Sequence, residues 1–139
     1  MYHHILLAAE GSENSLRAAN EAIKLAKCSS NSIIEVVMVT DFDKSMQDIL
    51  HAQSSDSLLL ERKRKISNVE QLLKREQVNY KITLLKGSPG PEIVRYANEQ
   101  KVDLLVIGSR GLNVLQEMVL GSVSHKVIKR VNCPALIVK

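Results

Sequence analysis

A chain of 139 residues, 45% hydrophobic and 24% charged, is long enough to bury one core and has the balance of a soluble globular domain, not of a disordered one. Aromatic residues at 3% leave the core to Leu, Ile, Val and Ala and argue against a base-stacking surface, while a net charge of +4 permits a polyanionic ligand without requiring one. Cys28 and Cys133 have no CxxC or Cys/His companion, no stretch is long enough to span a membrane, and the apolar run near the N-terminus is too short for a signal peptide, so a reduced, cytoplasmic setting is expected.

The first apolar run, Ile5 to Ala9, reads as a strand. Asn14 to Lys27 follows with Leu16, Ala19, Ile23 and Ala26 at helical spacing, and Ser12 stands where a cap is wanted. Ile33 to Thr40 is a second strand, rich in Val and Ile. Asp41 to Ser57 is irregular, and Ser54-Ser55-Asp56-Ser57 marks the start of a long helix that carries Ile66, Val69 and Leu73 on one face. Within that helix, Arg62-Lys63-Arg64-Lys65 is best taken as a solvated face, with nucleic acid the weaker account. Tyr80 to Leu85 is the third and most polar strand, and Ser88 before Pro89 opens a helix marked by Ile93, Tyr96 and Ala97. Val102 to Ile107 is the fourth strand. Val123, Val127, Ile128 and Val131 give a fourth helix an apolar face, and Lys126, Lys129 and Arg130 crowd towards its end, where cations complement the dipole. Cys133-Pro134 stops it, and Ala135 to Val138 is the last strand.

Continuous apolar strands alternating with helices predict a single doubly wound α/β domain over residues 1–139, with a parallel sheet covered on both faces. In such sheets ligands bind beyond the carboxyl ends of the strands, where the winding reverses. Strand one ends in Ala8-Ala9-Glu10-Gly11-Ser12, small residues around one carboxylate, and strand four ends in Ile107-Gly108-Ser109-Arg110-Gly111. From Gly108 the chain runs two residues to Gly111 and nine more to Gly121-Ser122-Val123-Ser124, which opens a helix. Gly111 lets backbone approach a ligand closely, the free N–H groups of the helix start favour an anion, and the Ser122 and Ser124 hydroxyls can donate as well. Arg110 is an added cation for a phosphate chain. Turn glycines and an ordinary cap are the bland alternative for each residue singly, but the spaced set lies between a strand and a helix, where a phosphate loop belongs.

On these residues the chain resembles the universal stress protein family over its whole length, and specifically the ATP-binding branch with its signature Gly-x2-Gly-x9-Gly-[Ser/Thr], filled by Gly108, Gly111, Gly121 and Ser122. The resemblance implies a five-stranded sheet of order 3-2-1-4-5 with an adenine nucleotide alpha hydrolase-like fold. It also implicates Ala8, Ala9 and Glu10 at the end of strand one, and Val39, whose backbone would meet the adenine edge. Gly87-Ser88-Pro89 matches the family's turn into helix three. Glu10 stands where the family usually has Asp, which keeps an acceptor but moves it one methylene outward; a solvated, structural Glu10 is the alternative.

Absent motifs narrow the chemistry. There is no Gly-x4-Gly-Lys-[Ser/Thr] loop, no Gly-x-Gly-x2-Gly turn and no Gly-x-Ser-x-Gly elbow. His3, His4, His51 and His125 show no metal-ligand spacing, and His125 reads as a helix-surface imidazole. Asp41 and Asp43 are candidates to help hold Mg²⁺ with bound phosphates, with a solvated loop an equal account of them. The leading expectation is an ATP-binding regulatory or stress-response protein. Its competitors are a slow ATPase or phosphotransferase and a nucleotide-independent interaction module. The resemblance, with the apolar Ala135–Val138 run at a sheet edge, also implies a homodimer through the last strand; no nucleic-acid or membrane partner is expected.

Overall fold

The computed structural model describes residues 2–9, 13–40, 55–109 and 122–139. The elements alternate in chain order: β1 (His4–Ala8), α1 (Glu13–Ala26), β2 (Ile33–Thr40), α2 (Ser55–Arg75), β3 (Tyr80–Lys86), α3 (Pro89–Gln100), β4 (Leu104–Gly108), α4 (Ser122–Arg130) and β5 (Ala135–Val138). The five strands form one sheet of order β3-β2-β1-β4-β5, and every neighbouring pair is parallel. This is the expected doubly wound arrangement.

Period-two alternation divides the strands between two apolar clusters. Ile5, Leu7, Ile34, Val36, Leu104 and Val106 pack under α1 and α2. Leu6, Ala8, Val37, Leu105 and Ile107 pack under α3 and α4. At the centre Leu7 aligns with Val36 on one side and Val106 on the other, and none of the three exposes any surface. Burial on this scale contributes about 1.5–3 kcal/mol per large side chain, and covering both faces explains why the runs lack polar alternation.

The helix faces follow the sequence spacing with one exception. Ala19, Ile23 and Ala26 of α1, Val69 and Leu73 of α2, and Ile93 and Ala97 of α3 are buried. In α4 Val127 is fully buried, but Ile128 is 37% exposed, so the apolar face is narrower than its spacing suggests. Ser88 does occupy the N-cap position of α3 in extended backbone, yet its side chain makes no capping bond; the first turn closes instead through Glu92 N–H donating to Ser88 O at 3.0 Å. Gly87 before it has φ +131°, and a Cβ there would lie 2.8 Å from Glu92 Cγ, so this turn requires glycine. The proposed Ser12 cap lies outside the described residues.

Candidate functional site

The winding reverses between β1 and β4: β1 leads outward to β2 and β3, and β4 leads to β5 on the other side. Ala8 aligns with Ile107 across this junction and with Val37 on the opposite side. Ala9 N–H donates to Val37 O at 3.0 Å, extending the ladder by one residue. The side chains of Ala8, Ala9 and Ile107 are buried in the two cores, so what these residues can offer a ligand is backbone. Val39, partly buried, packs against the same cluster as Ala8 and Ile107.

Gly108 ends β4, and Ser122, Val123 and Ser124 form the first turn of α4. The two ends of the glycine-rich segment are tied directly: Ser124 Oγ donates to Gly108 O at 2.9 Å, and Ser124 is buried. Ser109 N–H donates to Val138 O at 2.7 Å, which fixes the exit of β4 against β5. A hydroxyl has one proton, so Ser124 holds α4 to the strand end and does not offer that donor outward, as the sequence had suggested. The N–H groups of the first turn remain the donors of a helix start, and α4, with sequence SVSHKVIKR, contains no carboxylate to oppose an anion. Thus Ala8, Ala9, Val39, Ile107, Gly108 and the first turn of α4 come to one end of the sheet. Glu10, Arg110, Gly111 and Gly121 lie outside the described residues, as do Asp41 and Asp43. His125 is exposed on α4, as expected.

A second polar cluster was not anticipated. Glu35, in the middle of an apolar strand, is fully buried on the α3 side of the sheet. Its carboxylate bonds His4 Nε2 at 2.7 Å, accepts from Thr83 Oγ1 at 2.7 Å and from the Tyr96 hydroxyl, and lies 3.7 Å from Lys81 Nζ. Burial pushes its pKa up, but the hydrogen bonds from Thr83, Tyr96 and His4 and the charge of Lys81 outweigh that and hold it below the ordinary carboxylate value. Burial and the bond to Glu35 push the Tyr96 phenol up. The signal was present as one carboxylate inside a run of Ile, Val and Met. Asp103, a second carboxylate beside an apolar strand, accepts through Oδ2 from the N–H groups of His3 and His4 at 3.0 and 2.8 Å and joins the start of β1 to that of β4. The described residues hold no group of three or more His, Cys, Asp or Glu suited to a metal.

Comparison with known proteins finds relatives of the chain. The model of the universal stress protein family matches residues 1–139. The chain is 34% identical to universal stress protein MJ0531 of Methanocaldococcus jannaschii, covering 100% of this chain and 83% of that protein. It is 34% identical to universal stress protein YxiE of Bacillus subtilis, covering 100% of both. Among solved structures, that of the M. jannaschii protein MJ0577 superposes with a TM-score of 0.81 at 29% identity, covering 100% of this chain and 96% of that one. More distant structures share the fold: a universal stress protein in complex with cAMP, at TM-score 0.72 and 24% identity over 99% of this chain and 97% of that one, and an Arabidopsis thaliana family protein with AMP bound, at 0.70 and 19% over 99% and 91%.

Proposed function

Since the chain belongs to the universal stress protein family, we propose that it is an ATP-binding regulatory domain whose triphosphate sits at the start of α4. The observation that carries this reading is the Ser124–Gly108 bond, which closes the glycine-rich segment at the switch point beside the end of β1. Backbone N–H groups of Ser122, Val123 and Ser124 would meet phosphate oxygens, with Gly108, Gly111 and Gly121 allowing close approach and Arg110 adding charge. The adenine would lie towards the ends of β1 and β2, against backbone at Ala8, Ala9 and Val39, with Glu10 near the ribose. Mg²⁺ would accompany the phosphates. Structures of this fold hold cAMP and AMP in other proteins, which fits an adenine nucleotide as the ligand class. The sequence presents no identifiable general base, so the nucleotide serves as a signal, with turnover slow at most. The setting is cytoplasmic, and the working unit is a homodimer through β5.

Titration calorimetry with ATP and Mg²⁺ tests the site. Gly111→Val and Gly121→Val should each weaken binding by about tenfold or more, roughly 1.4 kcal/mol or above, by steric exclusion with the fold retained. Parent-like affinity in both variants overturns the assignment.

A further inference from the structure

Among the described residues several cations face carboxylates: Lys24 lies 3.0 Å from Glu21, Lys74 lies 3.2 Å from Glu70, Lys81 lies 3.7 Å from Glu35, and Arg95 lies 2.7 Å from both Glu92 and Glu99. Lys27 likewise pairs with Glu76, whereas Arg64, Arg75 and Lys86 stand singly at the surface. On α4, Lys126, Lys129 and Arg130 are exposed, and none has an ion-pair partner among the described residues. At about 100° per residue, His125, Lys129, Lys126 and Arg130 follow one another across a single arc of roughly 140°, and Ile128 flanks it beside His125. Ile128 is one of two large hydrophobic side chains exposed among the described residues. The C-terminal dipole accounts for Lys129 and Arg130 in the last turn but not for Lys126, whose stem lies over the first turn of α3, 3.5 Å from the place a Cβ on Gly90 would take.

We propose that α4 docks an acidic segment of a partner protein, one that crosses the exposed side of the helix so that carboxylates meet Lys129, Lys126 and Arg130 and an apolar side chain reaches Ile128 on the flank beside His125. Charge complementarity selects this occupant. A second copy of the chain would set like charges against each other. Single-stranded nucleic acid would find no aromatic platform on α4, and a membrane would find one apolar side chain on a helix of nine residues. An acidic segment with interspersed apolar residues satisfies both halves of the surface, and its encounter is accelerated by unneutralised charge.

The test uses the full chain and a fluorescein-labelled peptide of repeating Leu-Glu-Glu units, followed by anisotropy at low and moderate salt. Lys126→Gln/Lys129→Gln/Arg130→Gln should weaken binding by about tenfold or more and flatten its salt dependence. A control with the same loss of charge, Lys24→Gln/Lys27→Gln/Lys74→Gln, should bind like the parent. Ile128→Ser should weaken binding several-fold, with circular dichroism melts showing that each variant is folded. Equal loss in the two triple variants would reduce the effect to net charge and overturn the proposal. So would parent-like binding by Ile128→Ser, or tighter binding of an oligodeoxynucleotide or phosphatidylserine vesicle in the same buffer.

Discussion

Glu35 shows how one residue can fix the placement of several elements. Its side chain exposes no surface, and its partners come from three of them: His4 from β1, Thr83 and Lys81 from β3, and Tyr96 from α3. A buried carboxylate is tolerated only when its lone pairs are met, and removing one donor leaves the others to hold the charge. Tyr96→Phe should therefore lower stability by about 1.5–3 kcal/mol, read as a lower urea midpoint at unchanged slope. An unchanged midpoint would show that the phenol contributes nothing net. The sign of the pH effect follows from the depressed pKa of Glu35. The unfolded chain takes up a proton near pH 4.3, so the contribution is complete above that value and is lost as pH falls through the lower folded pKa. Asp103, held below its ordinary value chiefly by the His4 N–H, adds to the same acid-side loss. Glu35→Gln should flatten the fall of the melting temperature below about pH 4.3. Nothing in local spacing marked these contacts, because Glu35 and Tyr96 are 61 residues apart and meet only once the sheet order is known.

At the scale of elements, α3 and α4 are joined by more than apolar packing. Asn98 of α3 donates through Nδ2 to Arg130 O at 3.2 Å and accepts from Asn132 N–H at 2.9 Å, so a side chain on one helix caps the end of the next. With the Ser124–Gly108 bond at its start, α4 is held at both termini. Asn98→Ala should cost about 1–3 kcal/mol for the two bonds, measured by urea unfolding, and should speed hydrogen exchange of the amides that close the last turn of α4. Exchange unchanged at those amides would show that the helix end stands without Asn98. The helices were legible in the sequence because Ala19, Ile23 and Ala26, or Val69 and Leu73, repeat the helical period over several turns. What spacing could not tell was how wide a face each helix buries. Ile128 satisfies the apolar spacing of α4 yet is exposed, since burial depends on which neighbours pack against a helix and not on its own spacing alone. Ser88 reads as a capping residue and occupies the right position, but Pro89 and Pro91 remove two of the N–H donors near that start, and its side chain makes no cap bond.

For the molecule as a whole, the fold followed from element order: among the described residues strands and helices alternate, and parallel pairing of covered strands leaves few topologies. The strand ends of the candidate site were legible for the same reason, as glycine-rich segments at a switch point. The assembly is the step that remains to be tested, and its geometry can be specified. Among the described residues β5 is an edge strand bonded to β4 alone, and all four of its residues are half-buried. Pro134 O accepts from Leu105 N–H at 2.9 Å and Val138 O accepts from Ser109 N–H at 2.7 Å. Polar backbone groups alternate sides along a strand, so residues 134, 136 and 138 face β4, whereas Ala135 and Ile137 point their N–H and C=O away from the sheet. A two-fold axis would let these outward groups meet their counterparts in an antiparallel pair. Light scattering should then give about twice the 15.5 kDa chain mass. Ile137→Pro removes an outward donor and none of the bonds to β4, a place where an edge strand accepts proline. Leu136 and Val138 pack on the core beneath α1 and α2 and Ile137 on the core beneath α3 and α4, so a change at any of them also touches folding. Ile137→Ala, which truncates the same side chain and keeps the donor, is the control, and against it the proline chain should be a folded monomer with an unchanged circular dichroism spectrum. A parent chain that stays monomeric at every concentration would remove the dimer, and a dimeric Ile137→Pro chain would move the interface away from β5.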